Sequence, residues 1–595
     1  MSIKHPKILK NTKIVCTIGP ASESKEILEQ LMKSGMNVCR LNFSHGSHEE
    51  HLRKIKNIKA IRRKLNLPVA IMLDTKGPEI RLKTFKNDEK IRLEPNQTFT
   101  LTTRDVIGDD SIVSVTYEGL ANDVEVGSTI LIDDGLVSLK VKEIIGNTDV
   151  ICTVQNEGII SNKKGVNLPG TKSNLPALTE KDIDDIKFGI ENGIDLIAVS
   201  FVRKKEDIYN IRKILEENGG DYIKVIAKIE NQEGVDNIDS IINSSDGIMV
   251  ARGDLGVEIQ TELIPIVQKE IIRKCNEARK PVITATQMLD SMIRTPRPTR
   301  AETTDVANAI IDGTDCVMLS GETASGNYPI QAVNTMRNIC ITTELSADFA
   351  KSIEKKGIEM IPYNTTTSIS KSTCTIASQL NAKAIVACTS SGATARYISS
   401  FRPKTNIIAC TTTDIVARSL SICWGVHPIL IKKATHTDEL IDRAIVGSLQ
   451  EGYVTEGDLI VLTAGIPLGI SGTSNLIKVH VIGDILGHGI GIGTKSIVGN
   501  VCIGSTYEEL KNKFKDGDII VAKYTDSDLT EFLEKASGIV TETGGLTSHA
   551  AISAIHFNIP AILGFENATE ELKDNEIVTL DPLGGIIYKG EAKVI

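Results

Sequence analysis

Residues 224–256 read KVIAKIENQEGVDNIDSIINSSDGIMVARGDLG. Two short apolar runs, rich in Val and Ile, flank a stretch of helical pattern, and each run ends abruptly in charge. Lys228 and Glu230 close the first; Arg252, Gly253 and Asp254 close the second. Runs of this length separated by helical pattern read as buried parallel strands. Charge at the carboxyl end of such a strand is where α/β enzymes place their chemistry. On this reading Glu230 and Asp254 sit on neighbouring strand ends beside the Lys228 ammonium. Two carboxylates with a cation suit a hard divalent metal that in turn holds a phosphate.

The same unit recurs outward from this stretch. Residues 14–19, 37–42 and 69–75 form three earlier strand-like runs, with helical patterns such as SKEILEQLMKSG between them, the last stopping at Gly35. Residues 196–201, 281–287 and 316–322 complete the set. Three runs before residue 76 and five after 171 make eight β-then-α units, which predict a closed (β/α)8 barrel rather than an open doubly wound sheet. Between them, residues 76–171 lose the helical period and alternate, with turns at Asp134-Gly135 and Gly146-Asn147, as a β-rich insertion does. At Thr179 the helical rhythm returns through the capping-box sequence Thr-Glu-Lys-Asp.

From about residue 344 a second α/β pattern begins, with strands in AKAIVACTSSG, NIIACTTT, GDLIVLTAG and LIKVHVIG. A last block from about 484 opens Gly-rich (GHGIGIGTK), then alternates short strands with one helix after Ser548. The expected divisions are therefore 1–75 and 172–343 for the barrel, 76–171 for the insertion, 344–483 for a smaller α/β domain and 484–595 for the tail.

Composition excludes several classes. Hydrophobic residues make up 41% and charged residues 24% of the 595, ordinary for a globular protein of several domains. A formal charge of −9 favours neither nucleic acid nor an anionic membrane as partner. No apolar run reaches the length of a membrane span, and the N-terminal stretch lacks the apolar core of a signal peptide, so export is not expected. The 11 cysteines show no Cys-x-x-Cys pair, and Cys16, Cys39 and Cys316 lie inside apolar runs. They read as small buried hydrophobes of a reducing cytoplasm rather than disulfides or zinc ligands.

A barrel gathers its strand ends at one mouth: Arg40 and Asn42, Asp74 and Thr75, Lys228 and Glu230, Asp254, Thr284 and Thr286, Glu322. The motifs NVCRLNFSHGSHEEH, MLDTKGPEIR, KKGVNLPG, IAKIEN, VARGDLGVE, ATQMLDSMIRTPRPTRAETTDVANAI and MLSGETASGNYP are collinear over about residues 10–480. With them the sequence resembles the pyruvate kinase family. The resemblance implies transfer of a phosphoryl group from phosphoenolpyruvate to ADP. It implies Mg2+ (or Mn2+) on Glu230 and Asp254, and phosphoryl contacts from Arg40 and Lys228. It places the substrate carboxylate against the loop Ala251 to Asp254, Gly253 included, and against Thr286, which in the family lies near the carbon to be protonated. It implies K+ against Asn42, Ser44, Asp74 and Thr75, and nucleotide contacts from Asn42, Phe43, Ser44, His45, Arg81 and Lys164. Glu79 in GPEIR goes with potassium dependence in the family. The insertion then corresponds to a β-barrel lid that closes over the nucleotide, and a cytoplasmic homotetramer is implied.

In the smaller domain, residues 389–397 (TSSGATARY) place Thr389, Ser390, Ser391 and Thr394 around Gly392, after a strand and before a helix. Hydroxyls and free N–H groups at a helix start form a phosphate cradle or a plain helix cap. In the family this loop binds a phosphorylated allosteric effector, with residues 464–473 as its lid. The tail sequence GIVTETGGLTSHAAISAIHFNIPAILG resembles the swivelling phosphohistidine domain of phosphoenolpyruvate synthase and pyruvate phosphate dikinase, with His549 where those enzymes carry phosphate. Those enzymes have an Arg shortly after the His where this chain has Ile555, and no ATP-grasp domain is recognisable. An appended stabilising or regulatory domain is therefore the expectation, with histidine relay and a non-enzymatic sensor as the rival readings.

Overall fold

The structure is a computed structural model and describes residues 10–172, 174–356, 364–467 and 474–594. Its centre is a closed barrel of eight parallel strands: β1 (Lys13–Thr17), β2 (Val38–Asn42), β3 (Ala70–Asp74), β4 (Leu196–Val199), β5 (Lys224–Ile229), β6 (Gly247–Ala251), β7 (Val282–Ala285) and β8 (Cys316–Leu319). Closure is direct, since β1 pairs with both β2 and β8, Ile14 lying opposite Val317. The register between β2 and β3 sets Asn42 beside Asp74, and that between β3 and β4 sets Asp74 beside Ala198.

Helices start and stop where side chains satisfy their free backbone groups. Ser24 caps the helix Lys25–Ser34, which ends on Gly35 at φ 115°, a left-handed value that suits glycine. Thr179 and Asp182 form the reciprocal box at the start of Glu180–Glu191. The two faces of each strand bury different cores. Ile14, Cys16, Leu41 and Leu73 pack outward against helices, while Val15, Val38, Met72, Ile226 and Met249 fill the barrel interior. That interior core runs on through Ile422, Cys423 and Val426, so the smaller α/β domain plugs the amino-terminal face of the barrel. Buried ion pairs fasten the same junction: Arg402 to Asp315 at 2.8 Å and Arg418 to Asp195 at 2.6 Å.

The insertion is a seven-stranded sheet and a two-stranded ribbon. A bridge between Leu82 and Val115 joins the two end strands, Ile80–Arg81 and Ile112–Ser114, and curls the sheet into a barrel. The smaller α/β domain holds β9 (Ala384–Cys388), β10 (Asn406–Thr411), β11 (Val426–Leu430), β12 (Leu459–Gly465) and β13 (Ser474–Val481), in the order β11-β10-β9-β12-β13. Strand β11 was absent from the sequence expectation because Pro428 interrupts it; it lies at the sheet edge, where proline is tolerated. The tail is an eight-stranded sheet. Besides the expected helix His549–Phe557 it carries short helices at Tyr507–Lys511, Thr530–Leu533 and Ala568–Glu571, too brief to show periodicity. Its end folds back onto the smaller domain, Lys593 N donating to Gly457 O at 2.8 Å. All eleven cysteines are free and ten are buried.

Candidate active site

The strand ends meet at one mouth. The Lys228 ammonium lies 2.8 Å from Glu230 Oε1 and 3.1 Å from Asp74 Oδ1, and donates to Ser200 Oγ at 2.7 Å. Arg40 Nε donates to the other Asp74 oxygen at 2.5 Å, and Arg40 Nη1 to Thr17 Oγ1 at 2.9 Å. All three acidic and cationic groups of the Lys228 cluster are buried. Burial pulls the Lys228 ammonium down, but Asp74 and Glu230 more than offset this and raise it, so it stays charged. Burial likewise opposes the Asp74 carboxylate, yet Arg40 and Lys228 hold it below the ordinary range. Glu230 moves the other way: burial raises it, the Lys228 ammonium offsets only part of the rise, and Asp254 adds to it.

One placement differs from the sequence expectation. Asp254 is not on a strand end, because β6 stops at Ala251 and a helix, Arg252–Glu258, starts at once; Asp254 stands in its first turn, where the helix dipole favours negative charge. Gly253 N donates to Thr286 Oγ1 at 2.8 Å, which unites those two expected substrate contacts. Thr286 has φ 67° and Gln287 φ 54°, left-handed values that a β-branched residue rarely adopts and that cluster at functional sites. Arg252 holds the turn, donating to Thr286 O at 2.7 Å and pairing with Asp305 at 2.8 Å.

A cleft of about 360 Å³ lies between this mouth and the insertion, lined by Glu79, Arg81, Lys164, Phe201 and Asp254 among others. Arg81 pairs with Glu79 at 2.7 Å and Lys164 with Asp133 at 2.9 Å, so both expected nucleotide contacts face the cleft already in ion pairs. Asn42 and Ser44 turn together beside Asp74 and Thr75, the Asn42 side chain accepting from Ser44 N at 3.1 Å. His45 lends its carbonyl to the His51 ring at 2.9 Å. Phe43 is the exception: its ring is buried and stacked on His51 with centroids 3.9 Å apart, and its main chain is engaged too, the N–H donating to Asp74 O at 3.0 Å and the carbonyl accepting from Lys181 at 2.8 Å.

No group of three or more His, Cys, Asp or Glu side chains is arranged to hold a metal among the described residues. The donors present, Glu230 and Asp254, fit Mg2+, which is commonly held by one or two carboxylates with substrate oxygens and water completing its octahedron. Asn42, Ser44, Asp74 and Thr75 offer only oxygen donors to a monovalent ion, hard ligands that suit K+.

Sequence reasoning missed Ser200 and Phe201. Ser200 Oγ donates to Thr75 O at 2.7 Å while accepting from Lys228, and Phe201 N donates to Glu230 Oε2 at 2.6 Å from a left-handed backbone at φ 54°. Both stood inside an apolar run and carry no charge, so nothing in the pattern marked them.

In the smaller domain Gly392, at φ 81°, opens the helix Ala393–Ser400, and its N–H donates to Thr389 Oγ1 at 2.9 Å. Ser390 is exposed and Ser391 half-buried on this loop. The Thr394 hydroxyl, in the first turn of that helix, is buried and bonded to Ser474 Oγ at 2.6 Å. Residues 468–473 of the expected lid lie outside the described residues. In the tail, Ser548 caps the helix His549–Phe557 and Thr525 Oγ1 lies 3.0 Å from His549 Nδ1.

The pyruvate kinase barrel-domain model matches residues 9–333, the pyruvate kinase alpha/beta-domain model residues 367–480, and the model of the mobile domain of PEP-utilising enzymes residues 514–585. A pyruvate kinase from Bacillus licheniformis is 53% identical over 99% of this chain and all of its own length. One from Geobacillus stearothermophilus is 50% identical over 98% of this chain and all of its own. A solved pyruvate kinase structure from Cryptosporidium parvum superposes with a TM-score of 0.76 at 43% identity, covering 79% of this chain and 96% of that one. Barrel, charged mouth and matches together define a phosphotransferase. The chain belongs to the pyruvate kinase family, and its reaction is the glycolytic transfer between phosphoenolpyruvate and ADP that yields pyruvate and ATP. No helix among the described residues is long and apolar enough to cross a membrane.

Proposed function

We propose that the transfer occurs at the mouth formed by β2, β3, β5 and β6, with Arg40 and Lys228 as the cations that meet the phosphoryl group. The observation that most supports this is the buried cluster in which one ammonium, that of Lys228, reaches both Glu230 and Asp74. Phosphoryl transfer needs little covalent help and much alignment and charge neutralisation. A cation raised by its carboxylates stays charged throughout the reaction, and its low-dielectric surroundings strengthen its pull on the equatorial oxygens.

Glu230 and Asp254 would hold Mg2+ or Mn2+, and Asn42, Ser44, Asp74 and Thr75 would hold K+. When bound, the divalent ion adds positive charge at the enolpyruvate and phosphoryl oxygens. The main chain at Gly253 and Asp254, at the start of a helix, binds the substrate carboxylate, with Gly253 N exchanging its Thr286 Oγ1 acceptor for the ligand. The Thr286 hydroxyl orders the water that delivers a proton to the enolate carbon; an unshifted hydroxyl is too weak an acid to serve itself. Arg81 and Lys164 carry the nucleotide side, with Asn42 to His45 opposite, and closure of the insertion excludes the water that would otherwise take the phosphoryl group.

The loop Thr389 to Gly392 is read as the phosphate seat of an allosteric effector, the assembly as a cytoplasmic homotetramer, and the tail as a stabilising or regulatory domain. A coupled assay for pyruvate tests the central reading. Pyruvate formation should require ADP, a divalent cation and K+ together; full turnover with any one omitted would remove the corresponding assignment.

A further inference from the structure

We infer that the junction of the barrel floor with the smaller α/β domain is a second anion site, one that takes a compact phosphate-bearing ligand. A cavity of about 290 Å³ opens there between the foot of β5, the loop entering β7 and the helix Ala393–Ser400. Four cationic side chains line it, Lys224, Arg279, Lys280 and Arg396, against a single carboxylate, Asp246. That carboxylate is already committed, bonded to Arg212 at 3.0 Å and to Val225 N at 3.0 Å, with Lys224 3.8 Å away. The lining therefore carries a surplus of positive charge, which is unfavourable in a half-buried cleft until an anion joins it.

Three further observations point the same way. The Arg279 Nε is buried and has no hydrogen-bond partner among the described residues. Buried polar groups are nearly always satisfied, so such an exception calls for a partner. Arg279 also holds a left-handed backbone at φ 58°, and its guanidinium lies 5.1 Å over the Tyr397 ring, an arrangement that pre-orders the side chain. Lys280 donates to Ser245 O at 2.6 Å, and its ammonium is depressed first by burial and then by Arg212, Arg396 and Lys224, with only Asp246 opposing. Guanidinium forks beside ammonium groups match tetrahedral oxyanions. The volume suits inorganic phosphate or a sugar phosphate and is small for a dinucleotide.

The position gives the site a reach that neither domain has alone. Lys224 begins β5, whose far end carries Lys228 and Glu230. Arg396 belongs to the helix opened by Gly392, and its Nη1 lies 3.3 Å from Ser391 O in the effector loop. An anion bridging the two sides touches the foot of the catalytic strand and the effector helix at once.

The test uses the full chain and the variants Lys280→Gln and Arg279→Gln, both on the barrel side and clear of the effector loop. Each is melted in chloride, in inorganic phosphate and in a hexose phosphate at constant ionic strength. Phosphate bound at the active site or the effector loop contributes equally to all three proteins, so the difference reports the cavity. The wild-type rise in melting temperature should shrink in each variant, with the half-effect concentration up about tenfold for one lost charge-assisted contact. The chloride melt sets each protein's own baseline, since the loss of a repelling cation is set against the loss of the Lys280 bond to Ser245 O or the Arg279 contact with Tyr397. Equal phosphate-induced shifts in wild type and both variants would overturn the site. A variant effect seen with only one probe supports it and tells free phosphate from its ester. In tungstate-soaked crystals an anomalous peak is expected between Lys280 and Arg396; occupancy elsewhere with none there also overturns it.

Discussion

Ser200 stands between Lys228, the cation proposed to meet the phosphoryl group, and the segment proposed to hold the monovalent ion: it accepts from the Lys228 ammonium at 2.7 Å and donates to Thr75 O at 2.7 Å. The next residue, Phe201, donates its N–H to Glu230 from a left-handed backbone. One turn thus aims both the ammonium and the metal-type carboxylate. Removing the hydroxyl leaves the buried ammonium short of an acceptor, and hydrogen bonds to charged groups contribute about 1.5–3 kcal/mol. Ser200→Ala is expected to lower kcat by about tenfold or more, with KM for phosphoenolpyruvate changed much less, whereas Ser200→Thr retains most of the rate. Steady-state kinetics decide; an unchanged kcat in the alanine variant refutes the positioning role.

Gly77 is where the insertion leaves the barrel, and it presses on that same turn. A Cβ at Gly77 would lie 2.9 Å from both Phe201 Cδ2 and Ser200 Cβ, and its φ of 73° already disfavours any side chain. Gly77→Ala should therefore push the turn away from Lys228 and Glu230, at a cost of about 1–3 kcal/mol. Lower turnover together with a lower melting temperature is expected; a variant that melts and turns over like the wild type would show that the packing is slack.

Lys228→Met tests the central cation directly. It removes a preorganised positive charge and leaves the Asp74 and Glu230 carboxylates facing each other without it. Loss of a group that stabilises transition-state charge typically costs about 10²–10³ in kcat. Binding of phosphoenolpyruvate, followed by equilibrium titration, should weaken far less, since Arg40 and the Gly253 main chain remain. Near-wild-type kcat would dismiss the assigned role.

The barrel was readable because most of its apolar runs end in charge, as at Asp74, Lys228, Glu230, Arg252 and Glu322, so the strand and its functional end are marked together; β1 and β7 have no charge at their ends. Lys228 and Glu230 show this most simply, two residues apart at the end of β5. Asp254 was placed one element too early because an abrupt strand-to-helix switch at Arg252 leaves no loop residues to signal it. Ser200 and Phe201 were invisible for a different reason: a hydroxyl and a ring inside an apolar run carry no charge, and left-handed backbone at a non-glycine has no composition signal. Thr394 looked like part of a cradle because hydroxyls adjacent in sequence need not share a helix face; its partner, Ser474, is eighty residues away.

Glu79 carries the prediction about monovalent ions. Its carboxylate, held by Arg81 at 2.7 Å, brings negative charge to the cleft rather than the fixed cation that would replace the ion. Activity is expected to fall to a small fraction when K+ is replaced by a bulky organic cation at constant ionic strength. Glu79→Lys should make the residual rate insensitive to K+. Full activity without K+ in the unmodified enzyme would remove the monovalent site from the account.

The docking of the smaller α/β domain should depend on pH through Lys13. Its ammonium is buried at the foot of β1 and donates to Val426 O at 2.6 Å across the junction. Burial, with the nearby Lys10 ammonium adding to it, lowers Lys13 from 10.5 to about 7. In the unfolded chain it keeps the higher value, so between pH 7 and 10.5 the unfolded state binds more protons than the folded one. Stability then rises with pH across that window, by at most about 1.4 kcal/mol per pH unit for one group. Below pH 7 both states carry the charge, and the contribution sits flat at its lowest. Melting temperatures from pH 6.5 to 9 should climb in the wild type, and Lys13→Met should flatten the climb while raising stability most at the acid end. Parallel profiles for the two proteins would mean that this lysine remains charged in the fold.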